Sequence, residues 1–399
     1  MVPESLRFRD LVSISRKIWI NITFKEKYMK FKKIAAAFTA ALMIFVCSVE
    51  CTAFADGGES GGSARTSVCE KFLKGNDLEL YRMLLECMSW VADGRRSADT
   101  FYLTLSGSYA NTVEYEKAIL KVMYFIRNYT NEYTYWVGSH RSYAADNKSS
   151  CRITYEISPV YKSLDNRISR TRLDDVNRAL ENAKKIVDRY DGKSDYDKIV
   201  GYAKEICALN EYNHPAADDD NYFSKNSDPW NIIYVFDGDL TTNVVCEGYG
   251  RAFQYLCDLG GIECHYVTGD VSGEGHGWNI VVLDGSSYLV DLTMCDGFSE
   301  DVIERYHPFV LNSVVSSSAE GFSAHYSGEG GSLFVSYTYD DDVMEYLPED
   351  MLTLSTKDYA GGRSKVGAVI VIVLAAAGIT FYIIRKKKKA KEQHIFFYN

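Results

Sequence analysis

The segment that begins at Cys246 constrains the fold most, because one helical pattern is followed at once by three strand patterns. Its helical spacing is carried by three apolar residues, Tyr249, Phe253 and Leu256, and Gly260-Gly261 is a natural C-terminal cap. The pattern predicts a helix with Cys246 in its first turn. There the free N–H groups and the helix dipole favour a reactive thiolate and could also hold an oxyanion. A buried structural cysteine is the alternative at this stage.

Three strands are predicted after this helix, over residues 262–267, 276–283 and 286–293, with a glycine-bearing turn over 269–275. Asp284-Gly285 is a hairpin turn signal. A two-residue loop pairs Leu283 with Ser286, which sets Trp278 opposite Asp291 and His276 opposite Thr293. His276 and Asp291 then become diagonal neighbours on one sheet face, whereas a slip of one residue would separate them.

These residues predict a catalytic triad. Cys246 would be the nucleophile, His276 would take its proton and later return it to the leaving group, and Asp291 would orient the imidazole. A single histidine in a strand is more often a core residue. Three chemically matched partners in one helix–hairpin unit favour the catalytic interpretation.

The motifs resemble the core of the transglutaminase-like superfamily. The matching residues are Cys246-Glu247-Gly248-Tyr249, the helix ending at Gly260-Gly261-Ile262, His276-x-Trp278-Asn279 and Tyr288-x-Val290-Asp291-x-Thr293. The likeness spans roughly residues 195–312 and includes the helix from Ser194 and Tyr212. Gly277 departs from the pattern, since alanine is more usual there; this is not expected to disturb the triad.

The resemblance implies an α+β fold of the papain-like, transglutaminase-like kind in a bacterial surface-type member. A helix carrying the cysteine would pack on an antiparallel sheet, after a mainly helical region. Trp278, Asn279 and Thr293 would support the triad. Tyr234, expected at the end of a strand before Cys246, is a candidate for a second oxyanion donor.

The resemblance also implies acyl transfer through a thioester on Cys246, with protein or peptide amides as donors. An amine acceptor gives a cross-link and water gives hydrolysis, and the sequence leaves both open. Two other hypotheses remain: a non-catalytic surface binding module, and a structural spacer in which Cys246 joins an intramolecular thioester or a disulfide.

Both ends of the chain have the pattern of targeting segments. The lysine-rich residues 30–33, the apolar run 34–46 and Ala53-Phe54-Ala55 predict a signal peptide over residues 1–55, with Met29 as the true start. Residues 366–384 carry no charge and are followed by five cations, which predicts one transmembrane helix and a cytoplasmic tail. An N-terminal anchor and a buried core helix are the alternatives at the two ends. The expected topology is type I, with the body outside the cell.

Charge excludes some classes of partner. Residues 1–55 and 385–399 each carry a net charge of +5, so the −10 of the whole chain leaves about −20 on residues 56–365. Such a body should repel nucleic acid and anionic lipid. The expected partner is a protein or peptide substrate at the cell surface.

Cysteine and acidic patterns indicate neither a disulfide framework nor a metal site. Eight cysteines follow the signal peptide, and Cys69–Cys87 is the pair to test first. Neither a C-x-x-C nor an H-x-x-H cluster occurs, and the acidic runs 218–220 and 340–342 are interpreted as solvated loops. No metal and no cofactor are expected.

The expected organisation follows from these segments. A mainly helical region over 56–193, with helices near 112–128 and 173–190 and one strand over 152–157, precedes the core at 194–312. Residues 210–228 are expected to form a loop inside the core. An extension and stalk over 313–365 contains one predicted strand, at 333–337, before the transmembrane helix at 366–384 and the tail at 385–399.

Overall fold

Residues 68–219, 222 and 228–359 are described by the computed structural model. The predicted signal peptide over 1–55 and the predicted transmembrane helix over 366–384 lie outside these residues. Within the part that is described, no helix is both long and apolar enough to cross a membrane.

The first part of the described chain combines helices with a small sheet. Its helices are α1 (Gly75–Ala92), α2 (Thr112–Tyr129) and α3 (Asn131–Thr134), and its strands are β1 (Thr100–Thr104), β2 (Val137–Ala144) and β3 (Ser150–Ile157). The strands form an antiparallel sheet in the order β1-β3-β2. The sequence predicted β3 only. β2 is exposed along most of its length and therefore lacks the apolar alternation that marks a half-buried strand.

Two amphipathic helices follow, α4 (Arg170–Arg189) and α5 (Asp195–Leu209), and both confirm the predicted helices. Each begins at a serine cap: the side-chain oxygen of Ser169 accepts the N–H of Arg172, and that of Ser194 accepts the N–H of Asp197. Both helices pack against the helix that begins at Cys246.

Three helices lead into the central sheet, α6 (His214–Ala217), α7 (Ile232–Phe236) and α8 (Cys246–Leu259). The prediction of a strand before Cys246 is wrong, because helix α7 occupies that position. Its apolar run is buried on most sides, and a short apolar run does not distinguish strand from helix by periodicity. Asn231 stabilises the helical form by accepting the N–H of Ile233 at 3.1 Å.

The central sheet has six strands in the order β6-β5-β4-β9-β8-β7, and all neighbours are antiparallel. The strands are β4 (Cys264–Val271), β5 (Glu274–Leu283), β6 (Ser286–Val290), β7 (Val314–Ser317), β8 (Gly321–Gly328) and β9 (Gly331–Tyr339). The described part of the chain also contains four short helices, α9 (Leu292–Asp296), α10 (Glu300–Tyr306), α11 (Asp341–Tyr346) and α12 (Glu349–Leu352). Helix α8 packs against β4 and β5, so the described chain is an α+β structure.

The β5–β6 hairpin has the predicted register, with Leu283 opposite Ser286. Asp284 and Gly285 have φ angles of 51° and 77°, the positive values of a type I′ turn. The third strand is shorter than predicted, because Asp291 caps α9 by accepting the N–H of Met294 at 3.1 Å. Thr293 therefore lies in α9 and does not pair with His276 on a strand.

Residues after 313 complete the central sheet. The sequence predicted one strand there, but β7, β8 and β9 are present, and β9 pairs with β4. These strands contain many serine and glycine residues, so they lack the apolar alternation from which a strand is predicted. Gly269 permits the close approach, because a Cβ on it would lie 1.8 Å from the carbonyl oxygen of Thr338. Likewise, β4 extends to Val271 where a turn from Gly269 was expected.

Candidate active site

Cys246 is half-buried and is the first residue of α8. The residue before it, Val245, is extended and offers no side-chain cap. The N–H groups of the first helical turn have no partner within the helix. The start of α8 therefore leaves backbone donors beside the thiol, unlike the serine-capped starts of α4 and α5.

Tyr212 lies next to Cys246 because its backbone is tied to the segment before α8. It forms a parallel bridge with Val244, and the N–H of Asn213 donates to the carbonyl of Val244 at 3.0 Å. The Tyr212 hydroxyl lies beside the thiol and the backbone N–H of Cys246 and interacts with both. Burial, with the nearby Cys246 and Asp218 charges, raises the pKa of Tyr212 to about 12, so the phenol stays protonated near neutral pH.

His276 and Asp291 are in direct contact. His276 Nε2 and Asp291 Oδ2 are 2.9 Å apart, the Asp291 side chain is fully buried, and that of His276 is 8% exposed. The Cys246 thiol is also a hydrogen-bond partner of His276. Since Nε2 is engaged by Asp291, Nδ1 is the ring nitrogen that remains for the thiol. The structure brings the three predicted triad residues together in the order Cys246, His276, Asp291.

The charge state of His276 follows from these neighbours. Burial alone lowers the pKa of His276, but the attraction and hydrogen bond of Asp291, followed by those of Cys246, outweigh burial and raise it to about 10. The imidazolium form is therefore stabilised at neutral pH. That form is the partner which a thiolate requires.

Tyr337 is a site residue that the sequence prediction missed. Its hydroxyl donates to Asp291 Oδ2 at 2.9 Å, so this oxygen accepts from Tyr337 as well as facing His276. Burial raises the pKa of Tyr337, which keeps the phenol a donor. Residues 333–337 were predicted as a strand, but the sequence held no signal that this strand would reach Asp291.

Trp278 and Asn279 hold the site from β5. The Trp278 indole is stacked on the His276 ring with centroids 6.1 Å apart and also packs on Tyr337, so it shields the histidine from water. Asn279 Nδ2 donates to the carbonyl of Gly250 at 2.9 Å, which ties β5 to the middle of α8. These contacts place both residues next to the triad, and their supporting role stays a prediction.

Gly277 has a packing reason to lack a side chain. A Cβ on Gly277 would lie 2.2 Å from the Tyr266 hydroxyl, and one on Gly250 would lie 2.6 Å from the same ring. Tyr266 thus fills the space between the strand that bears His276 and the helix that bears Cys246. The departure from the family pattern at Gly277 accompanies this tyrosine.

Tyr234 is placed differently from its prediction. It lies on α7, and the charged groups that act on it most strongly are Arg172 and Asp228. No triad residue is among its principal electrostatic neighbours. The hydroxyl of Tyr212, and not that of Tyr234, lies beside Cys246.

A cavity of about 1350 Å³ opens beside the triad. His276 and Tyr212 form part of its wall, and Thr293 and Met294 of α9 form another part. Thr293 therefore lines the cavity instead of supporting the hairpin. The cavity is large enough to receive an extended side chain next to His276.

All eight cysteines of the described residues are free thiols. Cys69 lies beside Tyr81, and Cys87 accepts a contact from Arg96. The thiols that contact each other are instead Cys207 with Cys295 and Cys257 with Cys264. Over the same described residues, no group of three or more histidine, cysteine or acidic side chains is arranged to hold a metal ion.

Comparison with known proteins gives local matches. The chain is 31% identical over 78 residues to the kyphoscoliosis peptidase of Homo sapiens, covering 16% of this chain and 12% of that protein. It is 26% identical over 125 residues to the kyphoscoliosis peptidase of Mus musculus, covering 28% of this chain and 18% of that protein. The chain therefore spans less than a fifth of the length of these relatives. No protein-family model matches the sequence.

Two solved structures also align with the chain. One is a protein from Cytophaga hutchinsonii provisionally described as a cysteine protease, at 11% identity and a TM-score of 0.22 over 39% of this chain and 61% of that one. The other is a TGase, at 10% identity and a TM-score of 0.26 over 51% of this chain and 56% of that one. Likeness at these TM-scores is too low to assign function.

Proposed function

We propose that this chain is a membrane-anchored extracellular cysteine enzyme of the transglutaminase-like kind. It transfers acyl groups from protein or peptide amides through a thioester on Cys246. The observation that carries the proposal is the continuous chain of contacts from buried Asp291 to His276 and from His276 to the Cys246 thiol. The start of α8 adds backbone donors at the same place.

The geometry supports a two-step reaction. His276 takes the thiol proton of Cys246, and the thiolate attacks the carbonyl carbon of the donor amide. The oxyanion that forms is held by the backbone N–H of Cys246, and the Tyr212 hydroxyl supplies a second donor. His276 then protonates the departing amine, which leaves a thioester on Cys246.

In the second step, His276 removes a proton from the acceptor, which attacks the thioester and releases Cys246 as the leaving group. Water as acceptor gives a carboxylic acid, and an amine gives a new amide. The relatives with local sequence matches are named peptidases. This favours water, and so hydrolysis of a peptide bond, over cross-linking.

The extracellular location rests on the sequence of the two chain ends. The signal pattern over 1–55 directs the body across a membrane, and residues 366–384 would anchor it there. Substrates would then be proteins or peptides at the cell surface. The acidic body argues against nucleic acid as a partner, and the proposed chemistry needs no cofactor.

Alkylation of the purified full-length protein tests the nucleophile. Iodoacetamide should label Cys246 faster than the other thiols, and His276→Ala should slow that labelling at least tenfold, because it removes the partner of the thiolate. Tryptic mass spectrometry measures each site. If Cys246 reacts no faster than the other cysteines, it is not a catalytic nucleophile. The result would then support the alternative hypothesis of a non-catalytic binding module.

Trapping the acyl-enzyme identifies the acceptor. A peptide library is incubated with the protein, the thioester on Cys246 is detected by its mass, and buffer or a primary amine is then added. Release of a free acid in buffer supports the peptidase assignment. Reaction only in the presence of the amine supports a transferase.

A further inference from the structure

The wall of the cavity beside the triad contains buried acceptors that lack hydrogen-bond partners. Asn210 lines the cavity and is only 4% exposed; its Nδ2 donates to the carbonyl of Ile206 at 3.2 Å. Its Oδ1 has no partner among the described residues, and the same holds for the buried Oγ1 of Thr293, which also lines the cavity. A buried acceptor without a donor costs free energy, so these oxygens indicate a ligand that carries donors.

Two carboxylates lie in the same part of the wall. Asp296 of α9 and Glu211, the neighbour of Asn210, both line the cavity. Tyr249 donates to Asp296 Oδ2 at 2.7 Å. Burial raises the pKa of Asp296, the Tyr249 hydrogen bond opposes that rise, and the nearby Glu211 charge adds to it. Glu211 therefore lies close enough to Asp296 for the two charges to repel each other.

Lys193 and Lys204 are the lysines that line the cavity. Lys204 forms an ion pair with Glu304 at 3.0 Å. Glu205, a further wall residue, pairs with Arg189 at 2.6 Å. Within the described residues, Glu211 and Asp296 have no such partner. Carboxylates therefore outnumber lysines on the cavity wall, and Glu211 and Asp296 are two that have no ion-pair partner among the described residues.

These acceptors are linked to the nucleophile through neighbouring residues. Tyr212 follows Glu211 in the chain and contacts Cys246, and Tyr249 lies one helical turn after Cys246 on α8. Asp296 belongs to the same short helix that Asp291 caps. A substrate held at these acceptors would therefore present its neighbouring amide to the thiol.

We propose that Asn210, Glu211, Thr293 and Asp296 form a specificity subsite for a cationic side chain, lysine or arginine, of the peptide substrate. The inference rests on the proposed function, whose substrate class it narrows to basic peptides. Four oxygen acceptors, two of them charged, match the several N–H donors of an ammonium or guanidinium group.

The same chemistry argues against the subsite as a place for an attacking amine. An amine attacks only in its neutral form, and adjacent carboxylates favour the protonated ammonium form. The subsite therefore suits a cation that stays charged throughout the reaction. A basic side chain of the substrate meets that requirement.

Labelling of the full-length protein by peptide ketones tests the subsite. The probes are acetyl-capped tripeptide acyloxymethyl ketones with lysine, norleucine or glutamate at each of the two positions next to the ketone. At one of these positions, the lysine probe should label Cys246 at least tenfold faster than the norleucine probe, and the glutamate probe should be slowest. Raising sodium chloride should reduce the preference, because salt screens the attraction.

Variants locate the preference. Asp296→Asn should reduce the lysine-to-norleucine ratio at least fivefold, and the more exposed Glu211→Gln should reduce it less. Glu304→Gln is the matched control: this carboxylate lines the same cavity but is paired with Lys204, so the ratio should hold. Iodoacetamide labelling of Cys246 in each variant shows that the fold and the nucleophile persist.

A binding measurement tests the subsite independently of the proposed catalytic function. Fluorescein-labelled peptides of the same sequences are titrated into the Cys246→Ala protein, where no reaction can occur, and anisotropy gives their relative affinities. Equal affinity and equal labelling for lysine and norleucine overturn the subsite even if Cys246 is reactive. A preference in this measurement alone supports the subsite even if Cys246 proves unreactive.

One further outcome overturns the assignment. If the Asp296→Asn change lowers only the incorporation of added cadaverine, and peptide charge has no effect in wild-type protein, the acceptors serve an attacking amine instead.

Discussion

At the scale of single residues, His276 links the electrostatics of the site to the stability of the protein. Asp291 is fully buried, and the pKa of His276 is raised to about 10 by Asp291 and Cys246 despite burial. Folding therefore strengthens proton binding at this imidazole. A group of this kind stabilises the folded state only while it is protonated.

The pH dependence of stability follows from that shift. The contribution of His276 is fully present below its unfolded pKa of about 6.5 and is lost as pH rises through about 10. The difference in unfolding free energy between wild type and His276→Gln should shrink by on the order of 3 kcal/mol from pH 6 to pH 10. Urea denaturation across this range measures it, and a difference that stays constant with pH would contradict the assignment.

Tyr337 offers a second test at this scale. Tyr337→Phe removes a hydrogen bond to a buried carboxylate and should lower the unfolding free energy by about 2 kcal/mol. It should also slow iodoacetamide labelling of Cys246 several-fold, because Asp291 then orients His276 less firmly. The control is Tyr339→Phe, which removes a bond to the Leu352 carbonyl and should lower stability without slowing the labelling. Equal labelling rates in the two variants would assign Tyr337 to stability alone.

At the scale of elements, the β5–β6 hairpin decides where His276 and Asp291 meet. Its register depends on a two-residue turn in which Asp284 and Gly285 both have positive φ. Because strand side chains alternate, a slip of one residue would move His276 to the other face. The end of β6 matters equally, since Asp291 leaves the strand there and its carboxylate caps α9.

Gly285→Ala tests the turn. A Cβ at this position meets nothing within 4 Å, so the cost is conformational and should be about 1 kcal/mol. Gly275→Ala, at the other end of β5, is the control: it has open space and no positive φ, and should change stability by less than about 0.5 kcal/mol. Thermal denaturation compares the two, and equal losses would show that the strain of the turn is not the cause.

At the scale of the whole molecule, the segment after residue 313 belongs to the central sheet. Strand β9 covers the edge of β4, and it carries Tyr337 to Asp291. The unit that supports the candidate active site therefore extends beyond the region that resembles the transglutaminase-like core.

Truncation tests this dependence. A chain that ends at residue 312 loses three strands, leaves the edge of β4 unpaired and should aggregate or fail to show a cooperative unfolding transition. A chain that ends at Tyr359 retains every described strand and should unfold cooperatively with Cys246 still reactive. Circular dichroism melting and alkylation compare them, and a stable, reactive chain ending at residue 312 would refute the role of β7–β9.

The sequence alone determined the features that depend on neighbouring residues. Helical spacing after Cys246 predicted α8 and its thiol-bearing start, and the Asp284-Gly285 turn predicted the register that brings His276 toward Asp291. These features are local, because each is set by a periodicity or a turn within one continuous segment. Short-range patterns of this kind are legible in a single sequence.

Only the tertiary structure decided what surrounds the triad. Tyr212 reaches Cys246 through a bridge to Val244, and Tyr337 reaches Asp291 from a strand paired to β4. The acceptors of the cavity come from α9 and from the chain that directly follows α5. Such contacts join segments that are distant in the chain, and they follow from packing and close backbone approach. No periodicity in the sequence encodes these contacts. For this reason the sequence predicted Tyr234 as the second oxyanion donor, although Tyr212 is the tyrosine that lies beside Cys246.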